Sequence, residues 1–356
     1  MRATLLLAFA ANAFAVFVAT LPERAAAFST SPFFSTGSRK GGHSGASLTL
    51  RGGSTIAGAA RMSPDGLLVS CEWLKENFAN VKVLDASWYV KGMERSPGVK
   101  FDAVGDFEKH RIPGSGFFDI DKICDLSSSL PHMMPTASYF AECVSKLGVT
   151  KDSLVVVYDG KGIFSSPRAW TMFQCFGHEK CYILDGGFPA WVAAGFDVDS
   201  SFLSSELPAD SQVEYGTATG PVDIIDMQAV KANMENPQFQ LVDARPYPRF
   251  TGDAPEPRPI ESGHLQDSFS VPFLDVVSPE GKMKSEAEIK EIFIKGKVDV
   301  TKPLAVTCGS GATACVLRAA LYKIGVTKVP LYDGSYAEWK IAGNPTYKGT
   351  EKSPYA

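Results

Sequence analysis

Between residues 83 and 339 the chain writes one design twice, and that duplication limits its fold more than any other feature. Val83-Leu84-Asp85-Ala86-Ser87 is a short apolar run closing on a polar turn, and Leu241-Val242-Asp243-Ala244-Arg245 has the same form. Arg111-Ile112-Pro113-Gly114-Ser115 and Phe117-Phe118-Asp119-Ile120 answer to Gly263-His264-Leu265 and Val271-Pro272-Phe273. A buried-strand pattern follows in each copy, over 154–159 and 303–308, and then a helical stretch at 166–176 and 313–324. Leu184-Asp185-Gly186-Gly187 and Tyr332-Asp333-Gly334-Ser335 come next, and Trp191 and Trp339 each stand six residues after the Asp. Both pairs are 148 residues apart, so the register is held through the C-terminal half of each copy.

Short apolar strands alternating with helices predict an α/β fold, in which each copy is a parallel sheet covered by helices on both faces. A period of about 150 residues suits duplicated domains and is far too long for a solenoid. The expected domains are 65–200 and 221–356, joined by a Ser- and Pro-bearing linker at 201–220. In such sheets the chemistry belongs at the C-terminal strand ends, in loops that lead into helices. That rule points to Asp159 in copy one and Cys308 in copy two.

The first 64 residues read as an address. Arg2 precedes an apolar run from Ala3 to Ala19, and Ala25-Ala26-Ala27 stand before Phe28. A charged start, a short apolar core and a small-residue exit make 1–27 a signal peptide, and the run is marginal for a membrane span. From Arg24 to Pro64 there is no acidic residue, and Ser, Gly and Thr abound, so 28–64 reads as a transit peptide. The pair resembles the bipartite plastid leader of algae with secondary plastids, with a mitochondrial leader as the alternative. No membrane association is expected once the leader is removed.

Residues 1–64 hold six basic side chains and one acid, which leaves 29 basic and 38 acidic residues in 65–356. A body carrying nine net negative charges repels phosphate backbones, which excludes nucleic acid as a partner. The seven cysteines are irregularly spaced, odd in number and without a C-x-x-C pair, so neither a disulfide framework nor a zinc site is expected. No metal or organic cofactor is implied.

Cys308 differs from the other six. It ends a strand and opens Gly309-Ser310-Gly311-Ala312-Thr313, which leads into a helix. Glycines at 309 and 311 let successive N–H groups point inward, and such a nest at a helix N-terminus is an anion site. Thiolates in comparable positions have pKa values of about 3.5–7.5, and the same cradle would hold the outer sulfur of a persulfide. A tyrosine-type phosphatase also cradles a cysteine, but it needs Arg six positions later for phosphate. Here that position is Ala314.

At these residues the chain resembles the two-domain rhodanese-type sulfurtransferases, particularly the branch that uses mercaptopyruvate. The likeness spans 67–345, and its most specific pieces are the 308–314 loop and Arg249–Arg258. Leu84–Tyr89, Phe176-Gly177-His178 and Tyr332–Ser335 also fit. The resemblance implies two tandem rhodanese-like domains, the first catalytically silent. It implies a Cys308 persulfide that passes sulfur to a thiol acceptor such as thioredoxin, or to cyanide. It assigns Arg249 and Arg258 to the substrate carboxylate, and Asp102 and Ser310 to an Asp–His–Ser relay. Arg168 is read as a second wall of the cleft, supplied by the silent copy. Arg111 stands where the family has the relay histidine, with His110 one place early, and Phe164 replaces a tyrosine.

Thiosulfate-preferring relatives carry two basic residues directly after the cysteine. Gly309 and Ser310 stand here, so the loop has no cation for the second charge of a dianion. Three functions follow in order: transfer from mercaptopyruvate, transfer from thiosulfate, and a persulfide carrier fed by a desulfurase. A scaffold with both copies inactive is the remaining alternative.

Overall fold

The computed structural model of the chain describes residues 64, 66–90, 94–96, 98–201 and 213–356. The expected leader therefore lies outside the described residues except for Pro64, as does 202–212 of the expected linker. Copy one runs β1 (Leu68–Val69), α1 (Cys71–Asn77), β2 (Val81–Asp85), β3 (Glu94–Ser96), β4 (Val99–Lys100), α2 (Ala103–Lys109), β5 (Gly116–Phe117), α3 (Ala137–Lys146), β6 (Leu154–Tyr158), α4 (Ser166–Cys175), β7 (Cys181–Leu184) and α5 (Gly187–Ala193). Copy two runs β8 (Ile224–Ile225), α6 (Met227–Glu235), β9 (Gln240–Asp243), α7 (Tyr247–Thr251), β10 (Phe269–Ser270), α8 (Glu286–Lys295), β11 (Leu304–Thr307), α9 (Ala314–Lys323), β12 (Leu331–Tyr332) and α10 (Ser335–Ile341).

Each copy forms a five-stranded parallel sheet, in the order β1-β7-β6-β2-β5 and β8-β12-β11-β9-β10. The two orders are the same when each strand is matched to its repeat, so the sequence repeat is a repeat of topology. The central strands are apolar on both faces because both faces are covered. Val83, Val156 and Tyr158 meet α1 and α5 on one side, while Leu84, Val155 and Val157 face the other. In copy two Leu241 and Ala305 take the outer face, while Val242, Leu304 and Val306 face inward.

The inward faces of both sheets belong to one continuous core, which differs from two independent domains on a tether. At its centre α4 packs on α9, with Trp170 edge-on to Tyr322 at 5.4 Å. Both helices are buried along most of their length. The described end of the expected linker also joins the fold. Tyr215 is buried, donates its N–H to Ser145 Oγ, and sets its ring against His178.

The seam is polar at two related points. Asp185 Oδ1 of copy one accepts from Met283 N at 2.9 Å, and Asp333 Oδ2 of copy two accepts from Met134 N at 2.6 Å. At the second point Arg168 is added, its Nη1 2.7 Å from Asp333 Oδ1 with both side chains sealed from solvent. Removing one partner of a sealed pair strands the other charge. Arg168→Met is expected to lower unfolding free energy by about 3–5 kcal/mol, read by denaturant titration. A loss below about 1 kcal/mol, the size of an exposed pair, would contradict this role.

Candidate active site

Strand β11 ends at Thr307 and α9 starts at Ala314, so residues 308–313 make the whole turn. The carbonyls at its start are pinned from outside: Cys308 O accepts from Tyr336 N at 3.0 Å and Gly309 O from Ala337 N at 3.1 Å. Cys308 N donates to Ser335 Oγ. The N–H groups of residues 309–313 have no acceptor among the described residues. Successive unpaired donors in a glycine turn at a helix start have the form of an anion nest. Gly311 has φ +77°, and a Cβ there would stand 2.8 Å from Asp333 O and 3.2 Å from Arg168 Nη1. Only glycine fits that turn.

Copy one provides the control. Its equivalent strand end carries Asp159, whose Oδ2 accepts from the N–H groups of Phe164, Ser165 and Ser166 and from Ser166 Oγ, all between 2.7 and 2.9 Å. Oδ1 accepts from Lys161 N. The copy-one loop is an anion nest as well, filled by the carboxylate of its own first residue. The longer loop thus keeps the cradle and fills it with its own carboxylate.

Ser310 Oγ lies 3.3 Å from His132 Nδ1, and His132 Nε2 lies 2.9 Å from Asp121 Oδ1. Trp88 Nε1 also donates to Asp121, and its ring stands edge-on to the imidazole at 4.8 Å. The hydrogen bond from His132, aided by Trp88, holds the Asp121 carboxyl below its usual range against the opposing effect of burial. An ionised Asp121 can only accept, so a neutral His132 carries its proton on Nε2 and Nδ1 accepts from the Ser310 hydroxyl.

This hydrogen-bonded chain differs from the expected relay. Asp102 caps α2, accepting from Gly105 N at 3.1 Å, and is not bonded to Ser310 or to a histidine. Arg111 is buried and structural, held by Asp199 and the backbone of Phe107, Glu108 and Ser201. His110 pairs with Ser200 Oγ. Both relay residues that the sequence reading missed, Asp121 and His132, lie in the turn-rich stretch after β5. His132 holds φ +64° there. A count of histidines offered a signal, since the chain has five and His178 and His264 are consumed by Tyr215, Ser153, Phe250 and Glu351.

Arg168 is also placed differently from the expected cleft wall. It is fully buried beneath the loop, bonded to Asp333, to Gly311 O at 3.4 Å and to His132 O. It braces both the nest and the relay histidine and does not line the cleft.

Arg249 and Arg258 do converge on the loop. A Cβ built on Gly309 would lie 3.0 Å from Arg249 Nη2 and 3.7 Å from Arg258 Nη1. Arg249 is bonded to Glu256, which also holds the buried Arg245. Burial pushes the Glu256 carboxyl upward, but the two arginines outweigh it and leave the carboxyl below its usual range. The Arg258 guanidinium has no hydrogen bond or ion pair among the described residues. Desolvation lowers its pKa, and nearby Cys308 and Glu256 oppose that shift. Arg258, His132, Asp121 and Trp88 line a cleft of about 780 Å³, and Cys308, 2% exposed, is not among the described residues that line it.

A family model described as Rhodanese-like domain matches residues 70–194 and again 226–342. The chain is 41% identical over 287 residues to the 3-mercaptopyruvate sulfurtransferase of Homo sapiens, covering 78% of this chain and 93% of that one. It is 39% identical over 305 residues to a mitochondrial thiosulfate/3-mercaptopyruvate sulfurtransferase of Arabidopsis thaliana, covering 80% of this chain and 79% of that one. The crystal structure of the 3-mercaptopyruvate sulfurtransferase SseA from Escherichia coli superposes with a TM-score of 0.67 at 34% identity, covering 76% of this chain and 99% of that one. With the duplicated sheets and the Cys308 turn already in place, these matches make the chain a member of the rhodanese family and, within it, a two-domain sulfurtransferase.

Proposed function

We propose that this sulfurtransferase takes its sulfur from 3-mercaptopyruvate onto Cys308 and passes it to a thiol acceptor of the thioredoxin class. Cyanide would serve as acceptor in an assay. The observation that carries this reading is the pairing of an unfilled N–H nest at Cys308 with a nest filled by Asp159 in the other copy. The two loops share an architecture built to hold an anion, and only the Cys308 loop leaves it for a sulfur anion.

In the first half-reaction the Cys308 thiolate attacks the mercapto sulfur. The S–S bond forms as the C–S bond breaks, and its electron pair stays on carbon as the pyruvate enolate, which takes a proton to give pyruvate. The Ser310 hydroxyl, backed by His132 and Asp121, is the proton carrier beside the reacting atoms. The nest N–H groups hold the persulfide. In the second half an acceptor thiolate attacks the outer sulfur and Cys308 leaves as thiolate, which is ping-pong covalent catalysis.

Arg258 supports the choice of donor. Its unpaired guanidinium suits a single carboxylate, and Gly309 and Ser310 bring no further cation for a dianion. Arg249, already bonded to Glu256, orients the wall. Thiosulfate is the second donor considered, and a persulfide carrier fed by a desulfurase is the third reading. Steady-state rates with free mercaptopyruvate and thiosulfate separate them. The expected outcome is a kcat/KM for mercaptopyruvate at least about tenfold higher. Arg258→Ala should reduce it by ~10-fold or more, the scale of a lost charged hydrogen bond, and Arg249→Ala by less. Equal use of both donors, or unchanged kinetics in Arg258→Ala, would overturn the donor assignment.

The expected leader supports an organellar destination, plastid first and mitochondrion second, and the Arabidopsis relative is named as mitochondrial. Among the described residues no helix is long and apolar enough to cross a membrane. Residues 1–64 fused to a fluorescent protein should reach a plastid, and Phe28→Ala should divert the cargo. Mitochondrial uptake, or secretion of the intact fusion, would show the address to be of another kind.

A further inference from the structure

The repeat allows one copy to be read against the other residue by residue, and one position shows a difference with chemical content. Asp85 and Asp243 are equivalent. Each ends its strand, and each accepts from the N–H two residues on, Ser87 at 2.8 Å and Arg245 at 2.9 Å. Ala86 N and Ala244 N likewise donate to equivalent carbonyls, those of Tyr158 and Thr307. Ser87 is therefore the counterpart of Arg245.

In copy two the Arg245 guanidinium is fully buried in a receptor of its own. It is bonded to the Asp243 carboxylate, to Glu256 Oε1 at 2.8 Å and to Gly263 O at 2.7 Å, and it lies 3.8 Å over the face of Tyr336. In copy one the place that this side chain would take is a cavity of about 140 Å³. Its walls repeat the receptor. Asp85 stands for Asp243, and Phe188 for Tyr336, at the same 148-residue offset as the tryptophans. His110 stands for Gly263, because Ile112 and Leu265 make the same turn with Ser115 and Ser268.

We propose that this cavity is a binding site for a guanidinium group, shaped by the duplication as a receptor whose own arginine has been replaced by Ser87. A planar cation suits it in two ways: the buried Asp85 carboxylate for charged hydrogen bonds and the aromatic ring of Phe188 on the wall. Asp85 is sealed from solvent in copy one. Desolvation raises its carboxyl to about 6, opposed by Ser87 and Tyr158 and reinforced by Asp159. A cation beside it would offset that cost.

The test is thermal unfolding of the full chain in low-millimolar guanidinium chloride against sodium chloride of equal concentration. At these concentrations guanidinium should stabilise, with a rise in Tm of about 2–4 °C once it exceeds its Kd tenfold. Ser87→Arg, which carries the group in cis, should abolish the response, and Asp85→Asn, which keeps the turn hydrogen bond but removes the charge, should abolish it too. Argininamide distinguishes the source. Stabilisation by argininamide as well shows that a side-chain guanidinium enters, and stabilisation by the free ion alone shows a site for small cations. Equal responses to guanidinium and sodium, or an undiminished guanidinium response in Asp85→Asn, would overturn the proposal.

Discussion

The carboxylate of Asp333 holds the molecule together at the one point where its two copies and its chemistry meet. It takes a backbone N–H from Met134 and the guanidinium of Arg168, both from copy one, while belonging to the turn that packs on the Cys308 loop. Arg168 extends the same network to Gly311 O and His132 O. A sealed ion pair contributes little net stability compared with apolar packing, but it is intolerant of misplacement. Its consequence here is registration. The nest on α9 and the relay histidine of copy one are set against each other by one side chain, so the catalytic loop is built by the interface as well as by its own sequence.

Seen this way, copy one is a structural participant. It keeps the strand–nest–helix plan and satisfies the nest with Asp159, so that no external anion is needed there. It contributes Trp88, Asp121 and His132 to the cleft and shares its inner apolar layer with copy two. The division of labour follows from one residue type at each strand end: a carboxylate fills the nest permanently, and a thiol leaves it for the anion that the reaction makes.

The fold was legible because its signals are local and periodic. Apolar strands, the glycine turn after Cys308 and the constant offset of Asp185/Asp333 and Trp191/Trp339 each follow from backbone rules. The motif also singled out Arg249 and Arg258, and both guanidiniums approach Gly309. The relay was not. Asp121 and His132 lie in irregular backbone with no period, and they meet Ser310 only through the packing of one copy on the other. Asp102 was assigned to the relay by the resemblance alone, and its position before α2 is explained by capping. Arg168 was read as a cleft wall supplied by copy one. Its actual burial depends on Asp333, 165 residues later, and no local pattern carries that information.

The central claim is that Cys308 alone carries the sulfur. It is tested most directly by mass spectrometry of the full chain after one round with mercaptopyruvate and no acceptor, followed by peptide mapping. The account predicts a gain of one sulfur atom per chain, located on the peptide that bears Cys308, discharged by an added thiol and missing in Cys308→Ser. A sulfur atom found on any of the other six cysteines, or the same gain in Cys308→Ser, would contradict it.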